Sequence, residues 1–172
     1  MTAAFEARTR TAADLVFDSF YSGAIGGSVV ALFFLVVDTI RAEPLFTPSL
    51  MGSVLFRGAD AATVSGVDLG MVASYSIVHF LSFGALGTLA SLAVHEVALR
   101  ARHPALVLLI LFLIFEGAFA LATGLFAPGA MARVGAGWVA AANLLAASGM
   151  GLFFLTSHEP AVWRRVRAAV GA

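Results

Sequence analysis

The chain has no cysteine. That excludes disulfides, thiolate-held metals, thiol catalysis and covalently attached haem. Lysine is missing too, so all ten basic residues are arginine. Charge of either sign is scarce, at 12% of 172 residues, where an ordinary soluble domain carries about 25%. The formal net charge is zero, so bulk charge points to no nucleic-acid partner. Catalytic motifs are lacking as well. There is no nucleophile elbow, no phosphate-binding glycine loop and no pair of catalytic carboxylates. The Glu-x-x-His repeat of di-iron bundles and the His-Glu-x-x-His zinc motif are also missing. The expectation is a protein without catalysis of its own.

What the chain has is apolar length. Hydrophobic residues make up 60%, and the mean hydropathy is +0.97. Four runs stand out, at 22–40, 69–94, 105–126 and 136–156. Each is near or above the ~20 residues an α-helix needs to cross a bilayer core. The sequence therefore predicts an all-α integral membrane four-helix bundle, forming one transmembrane domain over 1–172. Glu6, Asp14 and Asp18 precede the first run, where a cleaved leader carries positive charge, so no signal peptide is expected there. Thr11 and Asp14 resemble a capping box with Asp in place of Glu, starting helix one near Ala12.

Arginine placement predicts the orientation. Four spans put both termini on one side, with Arg8, Arg10, Arg100, Arg102, Arg164, Arg165 and Arg167. The other side holds Arg41, Arg57 and Arg133. This asymmetry favours cytoplasmic termini. On the outer side, Pro44 and Pro48 end the first helix, and Thr47-Pro48 reads as a cap and first turn. Leu50, Met51, Val54 and Leu55 then share one helical face, with Ser49 and Ser53 opposite. Residues 48–56 are too few to span. They are expected to form a short amphipathic helix at the outer interface, outside the four-helix core. A re-entrant segment is the alternative. From Gly58 to Gly66 the chain reads as a flexible loop.

Each long helix carries a small-residue stripe suited to close packing in lipid. These are Gly23, Gly27 and Ala31; Gly84, Thr88 and Ser91; Ala120, Thr123 and Gly124; and Ala136, Ala140, Ala147 and Gly151. One polar side chain per helix falls on a face that can point inward: Asp38, His79 (with Tyr75 beside it), Glu116 and Asn143. His79 and Glu116 each lie ten residues from the outer end of their helices, ~15 Å deep. The turn between their helices is short, so a His79–Glu116 contact is expected, either a structural hydrogen bond or a proton relay. Asp38 is expected to pair with Arg41, one turn on. At the inner face, His95, His103 and His158 share a level and are weak candidates for a metal or a haem edge. Their spacing is unspecific, and no cofactor is implied.

The stretch 38–58, with its Arg-Ala-Glu-Pro-Leu-Phe-Thr-Pro core, is followed by Tyr75-Ser-Ile-Val-His79-Phe. Together they resemble a group of small uncharacterised bacterial four-helix membrane proteins. The resemblance covers the first two spans best. It implies a bacterial source, hence the inner membrane, and carries across no catalytic residue. The functional expectation is a small subunit or scaffold, in contact with the lipid bilayer and with other membrane subunits or copies of itself. Two other classes stay open. One is an oligomeric transporter or channel using His79 and Glu116. The other is a haem- or metal-binding redox protein.

Overall fold

The computed structural model describes residues 12–98, 104–127 and 129–158. They form six helices: α1 (Ala12–Ile40), α2 (Phe46–Arg57), α3 (Leu69–Ala98), α4 (Pro104–Phe126), α5 (Ala130–Val134) and α6 (Ala136–His158). Helices α1, α3, α4 and α6 are long and apolar enough to cross a membrane. The protein is thus all-helical among its described residues, with a multi-pass membrane architecture. The Thr11 cap and the arginines at 8, 10, 100, 102, 164, 165 and 167 lie outside the described residues.

Glycine decides how the long helices meet. α1 and α3 share the largest interface, and their backbones touch where Gly23 faces the Phe83 carbonyl and Gly87 faces the Ser19 carbonyl. A Cβ at either glycine would collide with backbone. The buried Ser22 hydroxyl reaches the Gly87 carbonyl across this crossing at 3.4 Å. α6 lies on the other flank of α1. Gly26 there gives room to the Met150 sulfur, and Gly149 packs on Ile25 and Val29. α4 packs mainly on α6 and only sparsely on α3. Sequence adjacency and a short turn therefore do not make α3 and α4 the closest partners. The expected stripes were only partly used: Ser91 is buried and the Gly84 Cα borders Gly23, while Ala120 and Gly124 face outward.

The largest departure from expectation is α2. Leu50, Met51 and Val54 are buried as an apolar face should be, but Ser49 (1% exposed) and Ser53 (7%) are buried too. The helix is therefore embedded on both faces, not laid on the outside of the core. It packs on the start of α3, where Gly52 sits against the Met71 carbonyl. Its side chains join a core cluster with Phe34, Ala127, Ala130, Val134, Val139 and Ala142. The short serine side chains explain the misreading. Serine on a helix face looks solvent-directed in a sequence, yet it also fits a tight interface once its hydroxyl is bonded. Ser49 Oγ accepts the Asp68 amide at 2.8 Å.

The 58–68 connection folds back against α2. Asp60 closes a turn by accepting the Ala62 amide, and Ala61 is fully buried in the α2 cluster. Arg133 of the α5 turn covers it, with a long bond to the Val64 carbonyl and its guanidinium over the Phe46 ring. A second core cluster fills the opposite half of the bundle, around Phe83, Leu111, Phe115, Ala146, Ala147, Met150 and Phe154.

Candidate functional site: a cavity beneath α2

The membrane-spanning polar residues are brought inward, but into partnerships the sequence did not suggest. Asp38 ends α1 and is 1% exposed. Its Oδ2 accepts the Thr47 amide and its Oδ1 accepts the Thr47 hydroxyl, both at 2.7 Å. It thus caps α2 from a distance, because the residue at the cap position is Leu45, which has no side-chain acceptor. Arg41 is not its partner; that guanidinium lies over the Trp138 ring at 5.6 Å.

His79 and Glu116 do not bond each other. The Nε2–H of His79 donates to the Gly27 carbonyl on α1 at 2.9 Å. Glu116 Oε1 accepts from Asn143 Nδ2 on α6 at 3.1 Å. Each polar group followed the neighbour its helix packs on, α1 for α3 and α6 for α4. The expected His79–Glu116 contact, hydrogen bond or relay, was drawn from chain order, which is not the packing order.

A cavity of about 630 Å³ opens between these two tied pairs, within the ~300–1,000 Å³ typical of small-molecule sites. Its walls come from α1, α2, α3 and α4, with Val134 and Asn143 closing the back. Along α3 it runs from Val72 to Leu86, ~21 Å of helix. Leu32, Phe80, Ala122 and Phe126 line it and are exposed, so it opens through the flank of the bundle. The lining is mostly apolar. Its polar members include Thr47, Tyr75, Ser76, His79, Thr123 and Asn143. Thr123 and Ser76 bond back to their own helices. The Tyr75 hydroxyl and His79 Nδ1 have no hydrogen-bond partner among the described residues. Three rings succeed one another along α3, and Phe115 of α4 meets the third. Tyr75 and His79 are 5.9 Å apart, His79 and Phe83 4.8 Å, and Phe83 and Phe115 5.7 Å.

Outside the spans, Asp68 joins α2 to α3. Its Oδ1 accepts the Gly70 and Met71 amides, capping α3, and its Oδ2 meets Arg57 at 2.8 Å. The Met71 amide first, then Arg57, holds this carboxyl below its ordinary value.

Among the described residues no group of His, Asp and Glu is placed to hold a metal. The inner-face imidazoles fall outside that statement, since His103 and the side chains of His95 and His158 lie beyond the described residues. The cavity is what sequence reading missed. Tyr75 and His79 were visible as polar residues one helical turn apart, but nothing in one dimension marks the space beside them. No protein-family model, curated protein or solved structure matches the chain.

Proposed function

We propose that this protein is a binding component of a membrane, holding a lipophilic molecule in the cavity beneath α2. The cavity itself carries the reading: apolar walls, a few convergent polar groups, and an opening toward the bundle's flank. Around the bundle Leu32, Ile77, Leu81, Leu113 and Leu121 are all exposed, as lipid-facing side chains would be. A ligand dissolved in the bilayer would enter sideways without crossing water. We place the protein in a bacterial inner membrane with both termini cytoplasmic, following the arginine asymmetry and the resemblance noted above. α2 then lies on the periplasmic side. The test is native mass spectrometry of the protein in mild detergent, comparing wild type with Ala118→Trp and Ala122→Trp, which fill the cavity. A retained molecule lost from both variants fits. The same retained mass in wild type and variants ends the proposal.

A second reading, membership of a larger complex or homo-oligomer, is favoured by α4. Gly117, Ala120 and Gly124 share one face and are exposed, and both glycines have open space where a Cβ would stand. Such a face lets another helix approach closely in lipid. The two readings are compatible, since a ligand-holding subunit serves a partner that uses the ligand.

A further inference from the structure

We propose that the cavity selects a ring-headed lipophile that donates a hydrogen bond, a phenol or hydroquinol, through its hydroxyl to Nδ1 of His79. This rests on the ligand-binding reading above and adds the ligand's chemical class.

The first observation is the proton on His79. The Gly27 carbonyl can only accept, so Nε2 must carry the hydrogen of their 2.9 Å bond. In the neutral ring the other nitrogen, Nδ1, then holds a lone pair. His79 lines the cavity, and this lone pair has no partner among the described residues. It suits a hydroxyl, which brings a proton. It does not suit a quinone carbonyl or an ether oxygen, each of which would set lone pair against lone pair. α1 thereby fixes the polarity of a site on α3.

The second observation is the series of rings at Tyr75, His79 and Phe83 along α3, with Phe115 of α4 packed against Phe83. Flat π-faces and edges along one wall favour a planar ring over a saturated chain at that depth. The third is extent. His79 sits midway between Val72 and Leu86, so the ring would occupy the middle of the cavity. Apolar wall remains on either side for a tail.

The test uses the full chain in phosphatidylcholine nanodiscs and three probes with one alkyl tail: a para-alkylphenol, its methyl ether and the matching alkylbenzoquinone. Affinities are measured by titration calorimetry. The phenol should bind about 3- to 10-fold more tightly than the ether, the range for one net hydrogen bond. The quinone should bind like the ether. His79→Phe should erase the difference between phenol and ether. Tyr75→Phe should keep the difference, and that variant decides the matter if His79→Phe does not fold. Equal wild-type affinities for phenol and ether overturn the donor assignment and leave the cavity reading standing. A preference that survives His79→Phe, or vanishes in Tyr75→Phe, moves recognition away from His79 and overturns it too. Failure of all three probes to bind the wild type removes the ligand-binding reading itself.

Discussion

Asp38 and Ala42 lie one turn apart at the end of α1, and each does work normally assigned to another residue. Ala42 stands at φ 60°. There the Glu43 amide returns to the Asp38 carbonyl and the Ala42 amide to that of Thr39, the helix-ending pattern that glycine favours. Ala42→Gly should therefore stabilise the protein by roughly 0.5–1 kcal/mol, relieving the left-handed strain less glycine's extra chain entropy. Asp38→Ala should do the opposite, by about 2–3 kcal/mol, because it orphans a buried amide and a hydroxyl together. Asp38→Asn keeps one acceptor and should cost less. Thermal unfolding of the three variants in one detergent gives the order. Gly87 offers a sharper contrast with Gly84, three residues away. Gly87→Ala drives a methyl into the Ser19 carbonyl, whereas Gly84→Ala meets open space. The first should lose about 1–3 kcal/mol and the second very little. Equal effects would mean that α1 and α3 do not cross at Gly87.

Among elements, α2 separates what was legible in the sequence from what was not. Its existence was readable from Thr47-Pro48 and the apolar spacing after it, and the structure adds two residues at its start and one at its end. Its depth was not readable, since depth depends on partners from α3, α5 and α6 that are remote in the chain. The spans were legible because each needs only its own composition. The contacts of His79 and Glu116 were not, because a helix can bond any neighbour and periodicity does not rank neighbours. Single cysteines test α2 cleanly in a chain with none of its own. Ser49→Cys and Ser53→Cys should resist a membrane-impermeant thiol reagent, while Thr63→Cys, exposed on the following turn, should react. Rapid labelling at 49 and 53 would mean that α2 lies on the surface after all. The hold of α2 on α3 should also weaken in acid. Asp68 is depressed in the folded state, so the unfolded chain takes up this proton at the higher pH. Its contribution is complete above the unfolded value near 3.8 and fades as pH falls toward the lower folded value. The stability gap between wild type and Asp68→Asn should accordingly be present at neutral pH and shrink near pH 3.

At the scale of the whole molecule, the bundle is two tied pairs, α1 with α3 and α4 with α6, joined where α6 lies against α1. With cytoplasmic termini, a reporter that works only in the cytoplasm should be active when fused after Ala172, and a periplasmic one silent. The reverse result would invert the orientation and turn α2 toward the cytoplasm. The pairing also bears on the order of synthesis. Everything that holds α1 to α3 lies within the first 98 residues, so that pair has its partners as soon as α3 is made. α4 does not, because its main neighbour is still to come. Until α6 follows, Glu116 enters the membrane without the Asn143 amide that meets it in the finished protein. An uncompensated carboxyl at that depth is costly, and it is the kind of exposed defect that membrane quality control can recognise. A chain cut short after α4 would carry that mark, and one that continues through α6 would not. Asn143 thus brings from α6 the partner that the Glu116 side chain lacks until then.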